Sequence, residues 1–286
     1  MQIFHLESEL RDWRRNAGTR RVVLVPTMGA LHEGHVHLVR VAREMAGPDG
    51  FVAVSIFVNP LQFGPKEDFS RYPRDLEADA AKCEEAGADV IFAPDVAEVY
   101  APDRSTIILE KSLSHMLCGA SRPGHFDGVC TVVAKLFNYF QPDDAVFGKK
   151  DYQQLAIIRR MVRDLSFPVA VHGIETVRED DGLAMSSRNR YLTEEERRQA
   201  PALREALQKA RGTWAGGVTG TARLIEVARE HLEEHAPLGR IDYLSVVDAD
   251  SLHPLDVVED QGLMAVAVFF GKARLIDNLE LLPMPD

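Results

Sequence analysis

Residues 20–60 read as strand, helix, strand, and that order constrains the fold more than any other feature of the chain. "RRVVLVP" (20–26) and "FVAVSIFVNP" (51–60) are nearly continuous apolar runs, as expected of strands covered on both faces. Between them, "LHEGHVHLVRVAREMA" carries apolar residues at helical spacing. A strand, a crossover helix and a second strand pack as a parallel pair. The alternation continues through a helix "RDLEADAAKCEEAG" (74–87), a strand "ADVIFAP", a helix "DGVCTVVAKLFNYFQP", a short strand "DAVFG", a helix "YQQLAIIRRMVRDL" and a strand "VAVHGIETV" (169–177).

After "MSSRNRYLT" the character changes. Two charged helical stretches, near 193–211 and 219–235, flank the glycine-rich "GTWAGGVTG". "IDYLSVVDAD", "MAVAVFFG" and "ARLIDNLEL" then read as strands, the last two joined by a tight "GKA" connection that predicts a hairpin. The expected fold class is therefore α/β: a Rossmann-like parallel-sheet domain over 1–176 and a smaller α+β C-terminal domain over 177–286.

The 286 residues carry a formal charge of −11. A chain this acidic repels nucleic acid and anionic membranes in bulk, while a few basic residues in one cleft still suit a small phosphorylated ligand. The N-terminus is charged and lacks a secretory core, and no apolar run approaches the length of a bilayer span. Three cysteines without CxxC spacing point to reduced thiols and a cytoplasmic protein.

Chemistry concentrates where the first strand turns into its helix, at "VPTMGALHEGHVHL" (25–38). A zinc site is disfavoured: His32 and His35 stand three apart, Glu33 is not between histidines at HExxH spacing, and no ligand cluster lies nearby in sequence. A phosphate site fits better. The helix N-terminus offers backbone N–H groups and its dipole at the carboxyl edge of the sheet, and Gly34 leaves room for a nucleotide. Both histidines can donate to phosphate oxygens as charge builds there.

Two further segments suit phosphate. "GLAMSSRNRYL" (182–192) places serine hydroxyls and Arg188 on a loop before a helix, and an arginine makes forked bonds to phosphate. "FGKKDYQQ" (147–154) places Lys149 and Lys150 after a short strand, with Asp151 able to hold Mg²⁺ through water. Read alone, the serine-rich segment is equally well an ordinary capping turn, and "FGKKDYQQ" reads rather as a solvated charged turn.

Taken together, "VPTMGALHEGH" (25–35), "SIFVNPLQFGPKEDFSRYPR" (55–74), "RPGHFDGVCTVV" (122–133), "FGKKDYQQ" and "DGLAMSSRNRYL" (181–192) closely resemble the pantoate–β-alanine ligase family. That family belongs to the HxGH nucleotidyltransferase and class I aminoacyl-tRNA synthetase-like superfamily. The resemblance implies ATP-dependent condensation of (R)-pantoate with β-alanine through a pantoyl adenylate, releasing AMP and pyrophosphate, with Mg²⁺ accompanying ATP. It also implies a homodimer.

Carried over by position, the resemblance assigns ATP binding to Met28, Gly29, Ala30, Leu31, His32, Glu33, Gly34 and His35. It extends that role to Gly148, Lys149, Lys150, Asp151, Val177, Met185, Ser186, Ser187 and Arg188. His35 is the implied proton donor, with His32 and Lys150 beside it in the catalytic set. Gln62 and Gln154 are assigned to pantoate, and Gln62 to β-alanine as well; amides both donate and accept, as a hydroxy acid requires. Pro26 and Phe147 are expected either to wall the geminal methyls or simply to pack. The family has an acidic residue where Lys149 stands, so Lys150 is the expected phosphate ligand of the two. Arg122 and His125 acquire no role beyond holding a loop. The rival readings are another nucleotidyltransferase of the same superfamily and a non-catalytic nucleotide-binding module.

Overall fold

The computed structural model describes residues 1–65, 67 and 69–283. In chain order its elements are β1 (Gln2–Phe4), α1 (Glu7–Ala17), β2 (Val22–Thr27), α2 (Glu33–Ala46), β3 (Phe51–Ile56), α3 (Leu76–Glu85), β4 (Val90–Phe92) and α4 (Val96–Val99). There follow α5 (Leu117–Ser121), α6 (His125–Phe140), β5 (Asp144–Gly148), α7 (Tyr152–Asp164), β6 (Ala170–Ile174), α8 (Glu194–Gln199), α9 (Ala202–Ala215), α10 (Thr221–His235), β7 (Gly239–Val247), β8 (Gly262–Phe270) and β9 (Ala273–Leu281). Two compact units result. One comprises Met1–Ser114, Arg122–Lys149 and Gln154–Glu175; the other comprises His115–Ser121, Lys150–Gln153 and Thr176–Asp286.

The first unit is built on a six-stranded sheet of order β1-β4-β3-β2-β5-β6, parallel throughout. Val22 to Val25 and Val52 to Val54 are fully buried, which is why their sequence is apolar without alternation. Side chains still alternate between faces. Val23, Val25, Val52 and Val54 pack under Val36, Val39 and Ala42 of α2. Burial of Val39 alone is worth about 1.5–3 kcal/mol. On the other face Phe92 meets the rings of Tyr139 and Phe140 at the end of α6.

The strand order reverses between β2 and β5, the place where α/β sheets bind ligands. Pairing between these two strands covers only Val23 with Asp144 and Leu24 with Ala145, although β2 runs on to Thr27 and β5 to Gly148. Pro26, which has no N–H to donate, follows that last pairing closely.

Several boundaries differ from the sequence reading. The run 51–60 is a strand only to Ile56; Asn59 then caps a single 3₁₀ turn, Pro60–Gln62, by accepting from Leu61 N–H. The charged stretch 193–211 is two helices, because Pro201 cannot continue α8. Thr193 and Glu196 begin α8 with reciprocal bonds, Glu196 N–H to Thr193 Oγ1 and Thr193 N–H to the Glu196 carboxylate. Neither β1 nor α1 is anticipated by the sequence reading.

In the second unit β7, β8 and β9 form an antiparallel meander, with Gly271 at positive φ in the β8–β9 turn. α9 and α10 pack on one face through Leu203, Leu207, Leu224 and Leu232 against Val266, Val268 and Leu279. No helix among the described residues is long and apolar enough to cross a membrane. The fold is α/β, a Rossmann-like parallel sheet with a smaller α+β C-terminal part.

Candidate active site

At the carboxyl end of β2 the chain turns sharply before entering α2. Gly29 and Ala30 both adopt positive φ, 81° and 52°. A Cβ on Gly29 would lie 2.9 Å from Asp79 Oδ2, so the position requires glycine twice over. The turn is held by its neighbours. Gly29 N–H donates to Thr27 Oγ1 (3.2 Å), while the buried carboxylate of Asp79 on α3 accepts from Ala30 N–H (2.8 Å) and Leu31 N–H (2.7 Å). Lys82 Nζ donates to the Leu31 carbonyl at 2.6 Å.

His32 caps α2 and His35 occupies its third position, with ring centroids 4.0 Å apart. His32 N–H donates to His35 Nδ1 at 3.4 Å. With Nδ1 accepting, the neutral His35 ring carries its proton on Nε2, where it can donate to an incoming oxygen. The backbone donors of Gly29, Ala30, Leu31 and His32 are thus already engaged. Among the described residues, the N–H groups of Glu33 and Gly34 take no backbone partner, as the first N–H groups of a helix do.

Gln62 is buried beside this loop. Its Nε2 donates to Met28 Sδ (3.0 Å) and its Oε1 accepts from Asn59 Nδ2 (3.0 Å). Asn59 in turn is pinned by groups of fixed polarity. Its Oδ1 accepts from Leu61 N–H at 3.2 Å and its Nδ2 donates to the Gly128 carbonyl at 3.0 Å. Tyr100 Oη–H adds a bond to Asn59 Oδ1 at 2.8 Å, and burial pushes the Tyr100 phenol well above its usual range. Gly128 must be glycine, since a Cβ there would meet the Leu61 carbonyl at 2.4 Å.

Arg122 and His125 hold the same loop from outside. Arg122 forks onto Glu67 through Nε and Nη2, each at 2.7 Å. Its Nη1 donates to His125 Nε2 (3.0 Å), so His125 Nδ1–H donates to the Gln62 carbonyl at 2.8 Å. Burial raises the Glu67 carboxyl, but the Arg122 bonds and charge outweigh it and hold the group below its ordinary value. The loop-holding role is therefore visible for both residues. Lys66 and Asp68 of the same motif lie outside the described residues.

At the end of β5, Gly148 is followed by Lys149, whose ammonium pairs with Glu175 at 2.5 Å. Gln154 is half-buried, and its side chain has no hydrogen-bond partner among the described residues. Phe147 is buried within the core, and Pro26 is half-buried.

In the second unit Lys150 and Asp151 lie in a 3₁₀ turn; Lys150 makes no side-chain ion pair among the described residues and its carbonyl accepts from Asn278. Gln153, beside Gln154 in sequence, is structural: it accepts from Cys118 N–H (2.9 Å) and donates to the Met116 carbonyl (2.7 Å). Val177 and Met185 are brought together by Met185 N–H donating to the Val177 carbonyl at 3.0 Å. Between them Arg178 forks onto the buried Asp277. Ser186 caps the turn Ser187–Tyr191 by accepting from Arg188 N–H. The sequence reading missed Asn59, Asp79, Lys82 and Tyr100, whose roles depend on distant partners.

Comparison with known proteins gives the family of the chain. The family model for pantoate–β-alanine ligase matches residues 2–280. A pantothenate synthetase from Akkermansia muciniphila is 52% identical over 286 residues, covering 98% of this chain and 100% of that protein. Another from Oleidesulfovibrio alaskensis is 51% identical, covering 99% and 100%. The crystal structure of pantothenate synthetase from Thermus thermophilus superposes with a TM-score of 0.93 at 49% identity, covering 99% of this chain and 100% of that one. A pantoate–β-alanine ligase from Francisella tularensis, complexed with β,γ-ATP and β-alanine, gives 0.80 at 30% identity, covering 98% and 97%. With the histidine-capped helix, the fixed glutamine and these full-length matches in agreement, the chain belongs to the pantoate–β-alanine ligase family.

Proposed function

We propose that this ligase makes pantothenate from pantoate and β-alanine in two half-reactions. In the first, a pantoate carboxylate oxygen attacks the α-phosphorus of ATP, the bond to the bridging oxygen breaks, and pyrophosphate leaves. In the second, the β-alanine amine attacks the acyl carbon of pantoyl adenylate, AMP departs with the electron pair, and the amine loses a proton. Attachment of AMP replaces a poor leaving group with a good one. The enzyme's share of the first step is positioning and charge stabilisation.

The observation that carries this reading is the start of α2, where His32 and His35 stack and, among the described residues, the Glu33 and Gly34 amides take no backbone partner, with Gln62 bonded to Met28 of the loop that leads into it. His35 Nε2–H donates to phosphate oxygens as pyrophosphate forms. Gln62 presents its N–H₂ end, which suits a carboxylate or hydroxyl oxygen of pantoate, and Gln154 contributes a second amide. The Francisella complex with β,γ-ATP and β-alanine supports both ligands. Gly148, Lys150, Asp151, Val177, Met185, Ser186, Ser187 and Arg188 are assigned to the nucleotide on sequence resemblance.

Among the described residues no three His, Cys, Asp or Glu side chains are grouped to hold a metal, and Asp151 is a single exposed carboxylate. That donor set fits Mg²⁺ carried by the triphosphate, which needs few protein ligands. When bound, the ion neutralises phosphate charge. A cytoplasmic homodimer is proposed on the family resemblance and the three free cysteines.

The test is isotope exchange between pyrophosphate and ATP. Exchange that requires pantoate and proceeds without β-alanine supports the adenylate path. Exchange independent of pantoate, or release of a dinucleotide, overturns it.

A further inference from the structure

Two successive backbone N–H groups in a left-handed turn form a concave nest that attracts an anion. The Gly29–Ala30 turn is such a nest, and it is already filled: Asp79 is 2% exposed and takes Ala30 N–H and Leu31 N–H on its two separate oxygens. Lys82, three residues on and therefore on the same side of α3, takes the Leu31 carbonyl. One helix thus holds both donor and acceptor groups of the loop that leads into His32.

We propose that Asp79, assisted by Lys82, is a positioning residue for the nucleotide, an internal anion that occupies the nest and so directs substrate phosphate to the Glu33 and Gly34 amides and the histidine pair. This inference rests on the reading of Met28–His35 as the nucleotide site. The geometry favours positioning over mere packing. Ala30 sits at a φ that non-glycine residues avoid, and such a conformation persists only where its surroundings over-determine it. The carboxylate also fixes polarity: an amide at position 79 could accept only one of the two N–H bonds and would press its own N–H₂ against the other.

The discriminating variant is Asp79→Asn, close in shape and lacking one acceptor. It is compared with wild type by calorimetric titration of β,γ-imido-ATP, by separate KM values for ATP and pantoate, and by hydrogen exchange at the Ala30 and Leu31 amides of the ligand-free chain. Loss of a charge-assisted buried bond should weaken the ATP analogue by roughly tenfold or more, with pantoate KM changed by less than about twofold and faster exchange at both amides. Analogue affinity within about twofold of wild type, or equal losses for ATP and pantoate, overturns the proposal. Should Asp79→Asn fail to fold, Lys82→Met decides: a loss of analogue affinity of about threefold supports the clamp, and none overturns it. A wild-type chain that binds no ATP analogue, yet shows slow Ala30 and Leu31 exchange that Asp79→Asn accelerates, would refute the nucleotide reading while leaving the clamp itself intact.

Discussion

Asn59 Nδ2 donates to Gln62 Oε1 across 3.0 Å, and this bond fixes the orientation of the glutamine amide, leaving its N–H₂ end as the one proposed to meet pantoate. The direction cannot reverse cheaply. Asn59 is itself oriented by Leu61 N–H and the Gly128 carbonyl, backbone groups that can only donate and only accept. Gln62 Oε1 is therefore held as an acceptor and Nε2 as a donor.

Asn59→Asp should invert this arrangement. An oxygen would then face Gln62 Oε1, and the glutamine must flip or lose its partner. A buried amide left opposed to an acceptor costs about 1–3 kcal/mol, which predicts a rise in pantoate KM of roughly 5- to 150-fold. Steady-state kinetics with ATP saturating give the answer; an unchanged pantoate KM would remove the amide chain from substrate recognition. Tyr100→Phe removes only one of the four bonds to the Asn59 side chain, so it should cost about 1 kcal/mol of stability with little kinetic effect.

His35→Ala should slow adenylate formation by at least about 10²-fold, the scale for losing a donor to developing charge. Pyrophosphate–ATP exchange with pantoate reads that step directly. Exchange at near-normal rate in the variant would refute the donor role assigned to His35.

The parallel sheet and the HxGH turn were legible because burial on both faces writes long apolar runs, and because a strand feeding a helix is a local pattern. β1 was not, since three residues at a sheet edge carry no period. Nor was the difference between Gln153 and Gln154: two identical side chains, one clamping Met116 and Cys118 and the other without a hydrogen-bond partner among the described residues, are separated only by which way the helix faces. Asp79 lies 49 residues from Ala30, and nothing in "LEADAAKCEE" marks one acid as buried and the others as solvated. Pro201 did mark the α8–α9 break, but charge pattern alone concealed it.

Lys149 and Lys150 should separate on mutation. Lys149 is held by Glu175, whereas Lys150 makes no ion pair among the described residues. Lys150→Ala is expected to lower kcat/KM for ATP by at least about 10²-fold, as when one fixed charge on the phosphates is lost. Lys149→Ala should stay within about threefold, the range of an exposed pair. The reverse ranking in ATP kinetics would exchange their roles.

The Arg122–Glu67 pair gives stability a pH dependence with a definite sign. Arg122 holds the Glu67 carboxyl below its ordinary value of 4.5, so the folded chain binds that proton less readily than the unfolded chain. The contribution is therefore complete above about pH 4.5 and lost as pH falls through the folded value. Both side chains are largely shielded, at 19% and 26% exposure, and the bond is forked, so Glu67→Gln should cost about 1–2 kcal/mol near pH 7. Urea denaturation of wild type and variant across roughly pH 3–7 measures the gap, which should narrow toward the acid end. Because His125 donates to the Gln62 carbonyl from the same cluster, the variant should also raise pantoate KM by a few-fold. A gap that stays constant with pH would show that Glu67 holds the loop by shape and not by charge.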